Sequence, residues 1–208
     1  MRSHTDRRDP RAGQERCRIF IAVLLAPALV DAAARARTLL GPAAERLRWV
    51  APGNLHLTLR FLGGITEAQL ARAIEAAREA AAPAAPFEIT LAGMGAFPSA
   101  RAPRVVWIGV QEGSDRLAAL AASLEAALRR RKFPAADRPF RPHLTVARAR
   151  AGGRPPDLSG VLPGAEGCVV GSQGVDALSV MESTLRPRGP IYREVAREPL
   201  GAAVESDV

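Results

Sequence analysis

Two near-identical tetrapeptides carry two of the three histidines of this sequence: HLTL at residues 56–59 and HLTV at residues 143–146. In a β-strand, successive side chains point to opposite faces, so His and Thr share one face about 7 Å apart while the apolar pair faces a core. An imidazole can transfer protons near neutral pH, and a hydroxyl can donate to an oxyanion. Two such strands across a cleft therefore predict an acid–base pair suited to phosphoryl transfer.

The spacing of the elements around these motifs indicates an internal duplication. A predicted strand–helix–strand passage begins at Ile19 and reaches His56 37 residues later. A second passage begins at Val105 and reaches His143 38 residues later. The third histidine, His4, lies outside both passages. Two matching units predict two lobes related by a pseudo-twofold axis, with one motif in each.

Short strands alternate with alanine-rich helices along the chain. Apolar periodicity and turn residues predict strands over 18–25, 47–50, 54–62, 87–92, 104–110, 142–147, 175–181 and 191–195, and helices over 27–40, 67–82 and 114–132. Thr66 followed by Gln69 predicts a capping box on the second helix, and Ser114 is the predicted cap of the third.

The ends of the sequence are polar or lack periodicity, and they set the predicted domain limits. We expect a disordered arm over residues 1–16, a single bilobal domain over 17–198 and a tail over 199–208. The stretch 152–167 is rich in Gly and Pro and predicts a loop.

The positive charge is concentrated in two parts of the sequence. The formal net charge is +8; residues 1–18 carry six Arg against three acids, and residues 96–155 carry eleven Arg and one Lys against four acids. Such a balance attracts polyanions, nucleic acids among them. A solvated surface without a partner is the alternative interpretation.

Cysteine and histidine counts exclude several kinds of site. Cys17 and Cys168 are too few for a disulfide framework or a four-cysteine zinc site. Two His and two Thr make a poor divalent-metal site, so we expect neither metal nor cofactor. The longest uncharged apolar run, 19–30, contains Pro27 and is shorter than the roughly 18–20 residues of a membrane span. We expect a cytoplasmic protein without a membrane segment.

The two motifs resemble the double H-x-T-x signature of the 2H phosphoesterase superfamily. Longer stretches resemble its RNA 2′,3′-cyclic phosphodiesterase branch, once described as 2′-5′ RNA ligases. These stretches are RIFIAVLL, LRWVAPGNLHLTLRFLGG, GAFPSARAPRVVWIGV, FRPHLTVAR and LSVMEST followed by GPIY. The resemblance covers Arg18 to Val195, nearly the whole chain outside its ends.

The resemblance implies a bilobal α+β fold in which two antiparallel sheets face a central cleft, with helices outside. It implies metal-independent opening of an RNA terminal 2′,3′-cyclic phosphate to a 2′-phosphate. His56 would donate a proton to the leaving 3′ oxygen, and His143 would accept one from water. Thr58 and Thr145 would hold phosphate oxygens, and Arg148, five residues after the second His, would contact the phosphate or the base.

Two expectations about arginines accompany these roles. Strict strand alternation places Arg148 on the face opposite His143, so its role requires a bulge or a strand end. Arg60 and Arg141 stand at matching strand parity near the two histidines, and Arg138 and Arg148 lie close to His143 in sequence. Positive neighbours lower the pKa of an imidazole, which favours His143 as the neutral base.

Two alternatives to hydrolysis remain open. The reverse reaction would join a 2′,3′-cyclic phosphate to a 5′-hydroxyl, as a 2′-5′ RNA ligase does. A non-catalytic RNA-binding protein would keep the cleft and the charge, although intact His and Thr in both motifs argue against it. The expected partner is RNA with a 2′,3′-cyclic phosphate end, bound by a monomer.

The aromatic residues receive a structural interpretation. Trp49, Trp107, Phe61 and Phe97 are predicted to form core or cleft wall rather than to stack on bases. Tyr192, the only tyrosine, is predicted to be structural.

Overall fold

The computed structural model describes residues 16–150, 152–187 and 189–201. Nine strands and three α-helices follow each other along the chain. They are β1 Cys17–Leu24, α1 Pro27–Arg35, β2 Leu47–Trp49, β3 His56–Ile65, α2 Glu67–Ala81, β4 Phe87–Phe97, β5 Val105–Glu112, α3 Ser114–Arg130, β6 His143–Ala149, β7 Val169–Val175, β8 Ala177–Arg186 and β9 Gly189–Pro199. Three 3₁₀ segments, Ala36–Arg46, Pro52–Asn54 and Pro163–Ala165, lie between them.

The strands form two antiparallel sheets. The first has the order β3-β1-β8-β9, and the second has the order β2-β6-β5-β4-β7. Without β2, the second order repeats the first: the strand that carries the motif lies beside the first strand of its own passage. The predicted α+β fold with two antiparallel sheets and an internal duplication is therefore confirmed.

Apolar side chains between the sheets and helices make the core. The leucine stripe predicted on α3, at positions 117, 120, 124 and 128, is buried throughout. Helix α2 buries only alanines, which lets it pack closely on its neighbours. None of the helices in the described part of the chain combines the length and apolarity needed to cross a lipid bilayer.

Two predicted elements differ from the structure in the first half of the chain and near β7. The first helix ends at Arg35, not at residue 40, and continues as a 3₁₀ segment that is interrupted at Gly41 with φ 52°. Strand β7 was not predicted, because its sequence VVGSQGV is rich in Gly and polar residues and lacks apolar alternation. Hydrogen-bonded pairing with β4 makes this segment a strand, although its local sequence does not predict one.

The predicted cap of α3 is wrong by one residue. Gly113, not Ser114, occupies the N-cap, and no side chain caps the helix. The backbone of Gly113 has φ 73°, and a Cβ there would lie 2.2 Å from the carbonyl oxygen of Glu88. Glycine is therefore required by both conformation and space.

At its C-terminal end, the described chain continues into the stretch predicted as a tail. Strand β9 runs to Pro199, and Leu200 is buried, its N–H donating to the carbonyl oxygen of Asp176 at 2.7 Å. The first two residues of the predicted tail are thus packed on the domain. The rest of the tail, and the arm as far as residue 15 with His4, lie outside the described residues.

The capping box predicted at Thr66 is present and gives a stability test. Thr66 Oγ1 accepts from the Gln69 N–H at 3.3 Å, and Gln69 Oε1 accepts from the Thr66 N–H at 2.9 Å. We expect Thr66→Ala to lower the free energy of unfolding by about 1 kcal/mol, measured by urea denaturation, because an N–H of the first turn loses its acceptor. Thr66→Ser keeps the acceptor and should stay near wild type; equal losses in both variants would contradict this assignment.

Candidate active site

A short segment of chain holds the two histidine strands together. Strand β2 pairs with β6, and the Val50 N–H donates to the carbonyl oxygen of Val146 at 2.9 Å. The chain then passes through the 3₁₀ turn Pro52–Asn54 and enters β3 at His56. Since β2 belongs to one sheet and β3 to the other, this link fixes the first motif beside the second.

A β-bulge in β3 decides which of its side chains face the cleft. The pairing with β1 runs in register through His56 and Thr58, then skips Leu59 before Arg60. After the bulge, Phe61 shares the face of His56 and Thr58, whereas Arg60 turns to the opposite face. There the Arg60 Nε lies 2.9 Å from a carboxylate oxygen of Glu125 on α3, on the helix side of the sheet.

The second motif contains a bulge at the equivalent position. In the pairing of β6 with β5, Thr145 lies opposite Trp107 and Arg148 opposite Val105, and Val146 is the extra residue. Trp107 and Val105 are two residues apart on one face of β5, so Arg148 shares the face of Thr145. This bulge is the irregularity that the predicted role of Arg148 requires.

Both imidazoles are oriented by main-chain carbonyls two residues upstream. His56 Nδ1 lies 2.8 Å from the Asn54 oxygen, and His143 Nδ1 lies 2.7 Å from the Arg141 oxygen. A carbonyl oxygen can only accept, so each Nδ1 carries the proton that it donates. In the neutral tautomer that results, Nε2 is the atom free to exchange a proton with a ligand.

Aromatic rings enclose His56. Its ring stacks on Phe20 at a centroid distance of 4.7 Å and meets Tyr192 edge-on at 5.3 Å. This burial lowers the pKa of His56; the carbonyl of Asn54 partly opposes it, and the charge of Arg148 lowers the pKa further. The free protein therefore favours neutral His56.

The second lobe has its own aromatic wall. Phe97 meets His143 edge-on at 5.3 Å and lies 5.3 Å from the ring of Trp107. The indole covers Gly95, where a Cβ would lie 2.2 Å from a ring carbon. Phe97 and Trp107 thus form cleft wall, as predicted, while Trp49 is partly buried with its Nε1 donating to the Ala44 oxygen at 2.9 Å.

Within the described ranges, no group of three or more His, Cys, Asp and Glu side chains is arranged to hold a metal ion. The polar groups on the cleft face of the two motif strands are imidazoles, hydroxyls and a guanidinium. Such a set can exchange protons and bind a phosphate group.

Comparison with known proteins places this geometry in a family. The sequence model of the 2′-5′ RNA ligase superfamily matches residues 25–158. The RNA 2′,3′-cyclic phosphodiesterase of Aquifex aeolicus is 38% identical over 156 residues, 74% of this chain and 82% of the relative. The chain belongs to this superfamily. The predicted resemblance to the 2H phosphoesterases is confirmed.

Further members of the superfamily match over most of their length. The RNA 2′,3′-cyclic phosphodiesterase of Thermus thermophilus is 37% identical over 185 residues, 84% of this chain and 86% of the relative. The crystal structure of TT0787 of Thermus thermophilus has a TM-score of 0.73 at 30% identity, covering 89% of this chain and 98% of that one. That of E. coli LigT complexed with 3′-AMP has a TM-score of 0.70 at 29% identity, covering 89% and 99%.

The arginine argument for the roles of the two histidines is wrong in its premise. It placed positive charge around His143 and matched Arg60 to His56 by strand parity. The bulge turns Arg60 to Glu125, and Arg148 lowers the pKa of His56 from across the cleft. The bulge in β3 removes Arg60 from the face of His56, whereas the bulge in β6 brings Arg148 to the cleft face.

Two further aromatic residues line the site. Phe61 is 62% exposed on the cleft face, which is the cleft-wall alternative of its prediction. Tyr192 contacts both Phe20, at 4.9 Å, and His56, so it forms part of the site. The position of Phe61, five residues after His56 as Arg148 is after His143, is a signal that the duplicated sequence already contained.

The environment of His56 predicts its titration. We expect NMR titration of the free protein to place the pKa of His56 below the ordinary value of about 6.5. Arg148→Gln should raise that pKa, because a positive neighbour is removed, and burial should still hold it below the ordinary value. Arg141→Gln, which removes an exposed charge beside the other histidine, should leave it in place. A pKa that is insensitive to Arg148 would contradict the position given to this side chain.

Proposed function

We propose that this protein hydrolyses the 2′,3′-cyclic phosphate end of RNA to a 2′-phosphate, with two histidines and no metal ion. The observation that carries the proposal is the pair of bulged strands, which present a His, a Thr and a further side chain on the two faces of one cleft. The names of the relatives support the reaction, and the E. coli LigT structures complexed with 3′-AMP, ATP and phosphate support binding of nucleotide phosphates.

The proposed chemistry uses each side chain once. The cyclic phosphate lies between the strands, and Thr58, Thr145 and Arg148 bind its non-bridging oxygens. His143 Nε2 takes a proton from a water molecule as its oxygen forms a bond to phosphorus. The bond from phosphorus to the 3′ oxygen breaks, and His56 Nε2 gives that oxygen a proton. The 2′-phosphate and a 3′-hydroxyl result.

This assignment requires His56 to be protonated in the complex, although burial and Arg148 favour its neutral form in the free protein. The bound substrate favours the protonated form. A cyclic phosphodiester carries one negative charge, and an anion next to an imidazole raises the pKa of that imidazole. Binding of the substrate and protonation of His56 are then coupled, so the imidazolium of His56 is favoured when a phosphate is bound next to it.

The exposed ring of Phe61 offers a surface on which the base of the nucleoside can stack. The ring centroids of Phe61 and Phe20 lie 5.9 Å apart, and Phe20 in turn stacks on His56. The exposed face of the Phe61 ring therefore lies beside the proposed position of the phosphate. Stacking on an aromatic ring is tolerant of base identity. We assign Phe61 to the base of the terminal nucleotide.

Ligation is the same opening of the cyclic phosphate with a different nucleophile. A 5′-hydroxyl of a second RNA would replace water as the group that exchanges a proton with His143. Water is present at far higher concentration, which favours hydrolysis. The partner in either reaction is an RNA end, and we propose that a monomer acts on it in the cytoplasm.

The two histidines predict the principal loss-of-function result. We expect His56→Ala and His143→Ala each to lower kcat by about 10²-fold or more on a short RNA ending in a 2′,3′-cyclic phosphate, since each removes a general acid or base. The double variant should be little worse than the poorer single one. His4→Ala is the matched control and should be silent.

The same assay tests the metal-free part of the proposal. Turnover should persist in EDTA, and the product should carry its phosphate on the 2′ oxygen. Near-normal turnover in either motif variant, with folding intact, would remove the proposed mechanism. Loss of activity in EDTA, restored by a divalent ion, would remove its metal independence.

A leaving group that needs no proton separates the acid from the base. On a nitrophenyl phosphodiester, His56→Ala should recover much of its lost rate, because nitrophenolate leaves without protonation. His143→Ala should recover little, because water still has to lose a proton. Steady-state rates on this ester and on the RNA end measure the difference. The opposite pattern would exchange the roles of the two histidines.

A further inference from the structure

Arg48 and Arg148 lie side by side at the edge of the second sheet. They face each other in the pairing of β2 with β6, and residues directly opposite in an antiparallel pair project from the same face with Cβ atoms about 5 Å apart. Their neighbours Leu47 and Ala147 are buried on the other face. Both guanidinium groups therefore lie on the face of His143.

Neither arginine has an acidic partner among the residues that the structure describes. In the ranges that the structure describes, no ion pair or side-chain hydrogen bond involves Arg48 or Arg148. By contrast, the Arg46 guanidinium donates to the carbonyl oxygen of Arg154 at 3.2 Å. Like charges directly opposite each other destabilise a sheet. An anion bound between or beside them would remove that cost.

The two guanidinium groups lie at different distances from the proposed position of the reacting phosphate. Arg148 follows Thr145 on the same strand, and its charge acts on His56 across the cleft. Arg48 lies one strand further out, about 4.8 Å away. Strand β2 has no counterpart in the four-stranded sheet, so this outer arginine occurs on one side of the cleft only.

We propose that Arg48 binds the phosphodiester that joins the terminal and penultimate nucleotides of the RNA. This inference rests on the proposed function, in which Arg148 serves the cyclic phosphate. The next negative group of such a substrate is that phosphodiester, and a guanidinium binds phosphate through charge-assisted hydrogen bonds. Arg48 thereby makes the enzyme select oligonucleotides over nucleoside 2′,3′-cyclic phosphates.

Three substrates test this assignment: a nucleoside 2′,3′-cyclic phosphate, the same nucleotide with a 5′-phosphate, and a dinucleotide ending in a 2′,3′-cyclic phosphate. We expect Arg48→Gln to lower kcat/KM about tenfold or more on the last two, which carry the second phosphate. The loss on the first should stay below about threefold. Arg48→Lys should recover part of the loss, and the salt dependence of RNA binding should weaken by about one phosphate contact in Arg48→Gln.

Arg129→Gln is the matched control, because it removes the same charge from an exposed position on α3. It should change all three rates by less than about twofold, and the Tm of the free Arg48→Gln protein should not fall. Equal losses on all substrates, or none on any, would overturn the proposal. A loss on the dinucleotide alone would assign Arg48 to the second nucleoside and would also overturn it. Turnover of the nucleoside 2′,3′-cyclic phosphate by the wild-type protein tests the proposed function separately.

Discussion

The pairing of β2 with β6 is the constraint on which the cleft depends. Two sheets that share no hydrogen-bonded strand could lie at many angles, and two motifs 87 residues apart could end far from each other. The hydrogen bond from Val50 to Val146 removes that freedom, because only five residues separate Val50 from His56. The proposed site depends on this proximity of the two histidine strands.

The duplication gives two motif strands with the same local structure but different surroundings. Each motif strand bulges at its fourth residue and turns its sixth residue, Phe61 or Arg148, toward the cleft. His56 is enclosed by Phe20 and Tyr192, whereas His143 contacts one aromatic ring, that of Phe97, within the described part of the chain. Acid–base catalysis needs two groups in opposite protonation states, and equal environments would not separate them. The proposed mechanism therefore depends on the difference between the two lobes as well as on their similarity.

The sequence predicted what depends on local alternation and on composition. The burial of Leu57 and Leu144 behind the histidines and the capping box of α2 follow from such patterns, whereas the two-sheet fold was implied by the family resemblance. Bulges do not, because an extra residue in a strand is visible only against its partner strand. For that reason the direction of Arg60 was not predictable, whereas the role proposed for Arg148 required a bulge, and the structure contains one. The contact of Tyr192 with His56 depends on β9 pairing across the sheet, which no local pattern encodes.

The central claim is that both histidines face one bound phosphate. An NMR titration of the protein with a nucleoside 2′-monophosphate, followed at the imidazole signals of His56 and His143, tests it most directly. We predict that both signals shift with a single dissociation constant and that the pKa of His56 rises when the anion is bound. A response of one histidine only, or two different dissociation constants, would contradict the account.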